Sequence, residues 1–344
     1  MKILVTGSAG FIGFHTALKF ISSGHEVVGL DNLNHYYDIR LKYARVAECG
    51  FSQEQAESGV MERSSLYPTF RFIKIDISDR EAVERLFRDE KFDIVCNLAA
   101  QAGVRYSLEN PFSYVKSNIE GFLSILEACR KYPVKHLIYA SSSSVYGMNE
   151  EVPFREADKT DSPVSLYAAT KKSNELMAHS YSSLYDIPAT GLRFFTVYGP
   201  WGRPDMAPML FMKAAIEGRS IRVFNNGNLF RDFTYIDDIV EGVAAVAEGM
   251  PPGSASTDSI KAPHAIYNIG NSAPVALLDF IAALERVLDK EIAKEFTDMQ
   301  PGDVYQTYAD TSSLEKIFGY RPSTLLDNGI AKLYEWYISH PSLF

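Results

Sequence analysis

Residues 7–13, Gly-Ser-Ala-Gly-Phe-Ile-Gly, constrain the fold of this chain more than any other stretch. They follow a short apolar run, Ile3-Leu-Val-Thr6, that reads as a parallel strand buried on both faces. They precede residues 14–23, whose apolar spacing is helical. In that setting Gly7 permits a tight turn and Gly10 lets the backbone approach a pyrophosphate. Gly13 lets the helix pack close to the sheet, and the helix N-terminus faces the phosphates. Phe11 and Ile12 lie along the same path. A glycine triplet alone is weak evidence; a strand before it and a helix after it is the context a dinucleotide site requires.

The next elements extend that pattern. Glu26-Val-Val-Gly-Leu30 is a second strand ending at Asp31 and Asn32. A carboxylate there accepts hydrogen bonds from an adenosine ribose 2′-OH and repels a 2′-phosphate, which predicts NAD rather than NADP. Its alternative is a plain loop aspartate. Residues 36–48 read as a helix, and 49–68 as a polar surface excursion. A third strand, 70–75, ends at Asp76 and Ile77, candidates to face the adenine. A fourth, 93–98, runs through Leu98 into Ala99 and Ala100, small residues where a cofactor backbone passes closely. Helices are expected over 80–89 and 112–132, and a fifth strand over 135–139. Strands alternating with helices predict an α/β doubly wound parallel sheet with ligands at the carboxyl ends of its strands. The candidate positions all fall at such ends.

The fifth strand delivers Ser141-Ser-Ser-Ser144, and Tyr167 and Lys171 follow with four-residue spacing. That spacing puts phenol and ammonium on one helix face, one turn apart. The ammonium is expected to favour the phenolate, so that Tyr167 acts as a base nearer neutrality. The Ser142 hydroxyl is placed to share the proton of a substrate alcohol. Each signal has a bland counterpart, a solvated helix pair and a polar strand end; they gain weight together, behind a dinucleotide fold. The chemistry they suit is removal of a proton from a secondary alcohol while a nicotinamide takes the hydride.

Composition sets the outer limits. A 344-residue chain with net charge −9 and no basic cluster argues against nucleic acid as a partner, and an anionic ligand would need local cations to hold it. Cys49, Cys96 and Cys129 are widely spaced and read as free thiols, and the seven histidines show no metal-type spacing. Met1-Lys2 leads straight into a strand, and no apolar run reaches membrane-spanning length, so a cytoplasmic protein is expected. Beyond 190 the alternation breaks. A loop is expected at 198–205 and a polar loop at 251–262. A strand is expected at 267–270, helices at 277–288, 312–318 and 324–339, and a turn at 300–303. Residues 1–190, with 234–249 packing back, are expected to bind the dinucleotide. Residues 191–233 and 250–344 should cap the sheet and hold the substrate.

Together the glycine triplet, Asp31, the serine run and the Tyr167/Lys171 pair resemble the extended short-chain dehydrogenase/reductase superfamily, in its NAD-dependent sugar-nucleotide epimerase and dehydratase branch. Four stretches, 34–42, 100–107, 192–206 and 231–238, narrow the likeness to members acting on UDP-hexuronic acids. The resemblance implies a Rossmann domain with a smaller, mixed α/β substrate-binding domain, and reversible oxidation at C4 by bound NAD. It implies Tyr167 as base, Lys171 as its partner and holder of the nicotinamide ribose, and Ser142 on the sugar 4-OH. Ser143 and Ser144 would line the sugar pocket. Related dehydratases and decarboxylases resemble an acidic pair or a glutamate there, so the serines argue against those reactions. Thr196 stands where an epimerase of neutral UDP-hexoses would usually show an asparagine. Arg231 resembles the arginine that holds the UDP diphosphate, with a surface ion pair as its alternative. Phe224 packs on the uracil or belongs to the core, and Asp303 resembles a residue near the uridine ribose. For a C6 carboxylate Arg203 is the first candidate and Arg105 the second; Arg105 reads equally as a structural loop residue. The helices 112–132 and 166–185 resemble a pair that forms a homodimer interface, although their apolar faces also suit an ordinary core. An epimerase of UDP-glucose or UDP-N-acetylhexosamine is the runner-up, followed by a decarboxylase or a non-catalytic NAD-binding scaffold.

Overall fold

Strand β1 (Lys2–Thr6) sends Ile3 and Val5 into one apolar cluster and Leu4 into another, one on each face of a sheet. Such two-sided burial is why the strand is apolar throughout rather than alternating. The computed structural model describes residues 1–249, 251, 262–299 and 304–343. The expected loop at 251–262 and turn at 300–303, including Asp303, lie almost wholly outside them.

Further strands in chain order are β2 (Glu26–Asp31), β3 (Glu62–Arg63), β4 (Phe70–Lys74), β5 (Ile94–Asn97), β6 (His136–Ser142) and β7 (Ala189–Phe194). Short β8 (Thr196–Tyr198), β9 (Ile221–Val223) and β10 (Phe230–Tyr235) follow, then β11 (His264–Ile269), β12 (Pro274–Ala276) and β13 (Lys294–Phe296). Eight of them form one sheet in the order β11-β7-β6-β5-β1-β2-β4-β3, parallel except for β3 against β4. The chain leaves β1 toward β2 on one side and returns to β5 on the other. The gap between β1 and β5 is therefore a switch point, where a crevice opens at the carboxyl ends. Helices α1 (Phe11–Ser22), α2 (Arg40–Glu48), α3 (Gln53–Glu57), α4 (Arg80–Glu90), α5 (Tyr106–Glu109), α6 (Pro111–Tyr114), α7 (Gly121–Lys131) and α8 (Leu166–Tyr185) accompany the first part. Helices α9 (Ala207–Glu217), α10 (Ile236–Glu248), α11 (Leu277–Leu288), α12 (Ser312–Phe318) and α13 (Leu326–Ser339) accompany the second.

Three sequence expectations change. The helix expected from 36 begins only at Arg40, because Asn32, Asn34 and Asp38 each accept a hydrogen bond from the backbone two residues on, at 3.1, 3.4 and 3.0 Å. Such Asx turns compete with helix. The excursion at 49–68 is structured: Cys49, Phe51 and Ala56 are buried, Ser52 caps α3, and β3 lengthens the sheet. The helix expected at 112–132 is broken by a π-helical turn at Val115–Glu120. There Asn118 donates to the Gln101 carbonyl and the Thr170 hydroxyl, both at 3.0 Å.

The proposed division of the chain also meets the sheet differently. Strand β11, assigned by sequence to the substrate side, is an edge of the large sheet, and β7 runs across residue 190. Helix α10 lies against α1 through Lys19–Glu241, and against the turn before β2 through His25–Glu248. One apolar cluster passes from Ile3 and Phe20 through Phe233 and Phe280 to Trp336, so the C-terminal part is built onto one face of the sheet. No helix among the described residues is long and apolar enough to cross a membrane.

Candidate active site

A cavity of about 1150 Å³ opens along the carboxyl ends of β1, β2, β5, β6 and β7. At one end lies the glycine turn. A Cβ on Gly13 would stand 2.1 Å from the Gly7 carbonyl oxygen, and one on Gly7 would stand 2.9 Å from the Ala99 backbone. Gly7 also has φ +71°, which glycine alone adopts cheaply. These two positions hold α1, β1 and β5 together at the switch point. Gly10 begins α1 with no side-chain cap, so the first amides of a 12-residue helix face the cavity. Phe11, Ile12, Asp31, Asn32, Asp76, Ile77, Leu98, Ala99 and Ala100 line the same end.

Asp31 is less open than its sequence position implies. It accepts from the Leu33 amide at 2.8 Å and the Ala9 amide at 3.2 Å, and pairs with Lys42 at 3.1 Å. A 2′-phosphate would meet that cation as well as the carboxylate, so the repulsion expected of Asp31 alone is tempered. Burial pushes the Asp76 carboxyl up, but the Ser78 amide and hydroxyl and the Asn32 amide outweigh it and hold it down.

At the centre are the serine run and α8. Ser165 caps α8, its hydroxyl accepting from the Ala168 amide at 3.1 Å, which sets where Tyr167 and Lys171 stand. Lys171 is buried, donates to the Ala140 carbonyl at 2.8 Å, and lies 6.0 Å from the centre of the Tyr167 ring. Burial pulls its ammonium down to about 8. The Ser142 hydroxyl stands near enough to Tyr167 to act on its pKa. That pKa goes the other way from the sequence reading: burial raises it, and the Ser142 hydroxyl and the Arg203 charge draw it back only in part. The Ser142 hydroxyl also accepts from the Ser144 amide at 3.2 Å and hydroxyl at 3.0 Å. Under this layer Ser141 donates to Glu175 at 2.6 Å, and Glu175 pairs with the buried Arg193.

The far end holds the remaining candidates. Ser143, Ser144, Thr196, Arg203, Arg105, Phe224 and Arg231 all line the cavity; Asp303 is outside the described residues. Arg231 donates to the carbonyls of Phe230 and Tyr305 at 2.8 and 3.2 Å, which fixes its guanidinium in the wall. Phe224 packs against the core, lines the cavity and carries the Arg105 guanidinium 5.0 Å above its ring. Arg203 is bound by Asp205, and Tyr36 donates to the same carboxylate. Sequence reasoning passed over Tyr36, Asp205 and Asn118, although the first two stand in stretches quoted for the resemblance. It also missed Lys213, Arg219 and Arg222 on the cavity wall. With the other arginines they gather cations in a chain of net charge −9, as an anionic ligand would require.

Residues 3–270 match the NAD dependent epimerase/dehydratase family. The chain belongs to that family. UDP-glucuronate 4-epimerase 4 of Arabidopsis thaliana is 46% identical to it, over 99% of this chain and 76% of that one. The crystal structure of UDP-glucuronic acid 4-epimerase from Bacillus cereus, in complex with UDP-glucuronic acid and NAD, superposes with a TM-score of 0.85 at 34% identity, covering both chains in full. UDP-glucose 4-epimerase from Thermotoga maritima, with UDP-glucose, superposes nearly as well, at TM-score 0.84 and 27% identity over both full chains. Members of the NAD dependent epimerase/dehydratase family hold a dinucleotide, and the cradle here fits one. The space beside Gly7 and Gly13 admits no side chain, and free helix amides face it.

Proposed function

We propose that this chain is a UDP-glucuronate 4-epimerase that interconverts UDP-glucuronate and UDP-galacturonate. Fold does not separate this from a neutral-hexose epimerase, since relatives of both kinds superpose almost equally. What carries the reading is Arg203, a guanidinium lining the sugar end of the cavity close enough to Tyr167 to act on its charge, where a C6 carboxylate needs a donor.

In this mechanism Gly7, Gly10, Phe11, Ile12 and Gly13 hold the dinucleotide phosphates, and Asp31, Asn32, Asp76 and Ile77 take its adenosine end. Leu98, Ala99 and Ala100 leave room for its backbone. The dinucleotide, when bound, supplies a reversible hydride acceptor for C4. Tyr167 takes the C4 hydroxyl proton through or beside Ser142, and returns it after the keto sugar has turned over. Lys171, fixed to Ala140, holds the nicotinamide ribose. Arg231 holds the diphosphate and Phe224 the uracil, with Arg105 the second candidate for the C6 carboxylate, so the nucleotide stays anchored while Thr196, Ser143 and Ser144 leave the sugar free to rotate. These hydroxyls offer no acid to drive elimination across C5–C6.

Burial of all three free cysteines suits a reducing compartment, and we place the enzyme in the cytoplasm. We further propose a homodimer through α6 to α8, where Phe112, Leu123, Leu176 and Leu184 are exposed. Turnover of UDP-glucuronate against UDP-glucose tests the substrate assignment. A kcat/KM at least about 100-fold higher for the uronate is expected from loss of a charged contact. Equal values, or preference for the neutral sugar, would remove Arg203 from its role.

A further inference from the structure

We propose that Asp205 and Tyr36 are positioning residues that lock the Arg203 guanidinium so that it offers its terminal edge to the substrate carboxylate. This lock keeps the 4-keto intermediate from losing carbon dioxide. The inference rests on the UDP-glucuronate reading above and assigns a task to two residues outside it.

A guanidinium carries five N–H bonds arranged as a side edge, Nε with Nη2, and a terminal edge, Nη1 with Nη2. Asp205 takes the side edge, with Oδ1 3.1 Å from Nε and Oδ2 2.5 Å from Nη2. That leaves two parallel N–H groups on the terminal edge, the geometry a second carboxylate accepts bidentately. Tyr36 fixes the carboxylate in turn, donating from its hydroxyl to Oδ2 at 2.8 Å. The Tyr36 ring lies under the Arg203 guanidinium at 5.8 Å and packs on Tyr106 at 4.8 Å. The loop bearing Arg203 and Asp205 is itself tied down: His15 bonds the Pro200 carbonyl at 3.0 Å and Arg45 the Trp201 carbonyl at 2.6 Å. Arg203 is thus held on the Nε side, on one face and at the base of its loop. Were its only task to attract an anion, an adjoining carboxylate would weaken it; an aimed guanidinium is what the pairing provides.

Aim matters because the oxidised sugar is a β-keto acid. Decarboxylation breaks C5–C6, with the bonding pair passing into the C4 carbonyl as an enolate. Carbon dioxide leaves, and C5 takes up a proton that balances the one Tyr167 removed from the C4 hydroxyl. The hydride from C4 stays on the cofactor, so release of the UDP-4-keto-pentose leaves one equivalent of NADH. The reaction needs C5–C6 aligned with the carbonyl π system, and a carboxylate held near the plane of C4=O resists it.

The test uses the NAD-loaded full-length enzyme, UDP-glucuronate, proton NMR for products and NADH absorbance for abortive turnovers. The readout is the ratio of pentose products to UDP-galacturonate, which a loss of folded protein or of overall rate does not move. Asp205→Asn is expected to raise that ratio by about tenfold or more, since misplacement near 1 Å changes rates by about 100-fold. Tyr36→Phe, which keeps the ion pair and removes one oxygen, should raise it about threefold, and it decides the matter alone if Asp205→Asn does not fold. A wild-type ratio in the folded variants overturns the proposal while leaving the epimerase reading intact. A wild-type enzyme that makes no UDP-galacturonate would instead overturn that reading.

Discussion

Tyr167 is where opposing effects meet, burial raising its pKa and the Ser142 hydroxyl and the Arg203 charge lowering it. A base so poised depends on the group it takes the proton with. Tyr167→Phe should lower kcat by about 100- to 10,000-fold, the range for a lost general base, with UDP affinity retained in a displacement assay. Lys171 makes a second residue-scale prediction. Its folded pKa of about 8 lies below the ordinary lysine value, so between pH 8 and 10.5 the unfolded chain binds more protons and stability rises with pH. Below pH 8 the buried ammonium costs on the order of 3 kcal/mol. In the cofactor-free protein Lys171→Met should therefore melt several degrees higher than wild type at pH 7, and the gap should shrink at pH 9.5. A gap independent of pH would contradict this. The sequence made Tyr167, Lys171 and Ser142 legible because their spacing along a helix and a strand end is itself the geometry. It did not convey the burial that raises Tyr167, since burial is not written in spacing.

At the scale of elements, legibility followed the range of the interactions that fix each one. Helices Leu277–Leu288 and Ser312–Phe318 match the sequence reading to the residue, because apolar periodicity and a closing Asp289 or Gly319 set them locally. The π turn at Val115–Glu120 escaped it, since Asn118 reaches Gln101 and Thr170 across other elements. The glycine turn joins both kinds, local in motif and distant in packing. Gly13→Ala would drive a methyl into the Gly7 carbonyl, 2.1 Å away, and should cost more than about 2 kcal/mol by urea unfolding together with loss of bound NAD. Unchanged stability and cofactor content would contradict the close packing of α1 on β1.

Over the whole molecule, the sequence conveyed the doubly wound sheet but not its edge. β11 pairs with β7 from 75 residues further along, His264 opposite Ala189, and no local signal announces such a partner. Burial of histidines gives a global prediction. His15, His136 and His264 are each lowered by burial to about 4, so from pH 6.5 down toward 4 the unfolded chain binds more protons and stability falls. If all three act, the loss is about 4 kcal/mol per pH unit, measurable by urea unfolding at pH 6.5, 5.5 and 4.5. A flat profile would place them elsewhere than in neutral pockets. For assembly, Leu176→Glu with Leu184→Glu should convert a dimer to monomer in sedimentation; a wild-type monomer would end that proposal.

The most direct measurement is the fate of a label at the reacting carbon. UDP-glucuronate carrying deuterium at C4 would be incubated with the NAD-loaded enzyme in ordinary water, without added reductant, and the product read by NMR. Hydride removed and returned within one site should give UDP-galacturonate with the deuterium still on C4. Label lost to solvent, or UDP-glucuronate left unchanged while UDP-glucose is converted, would contradict the mechanism.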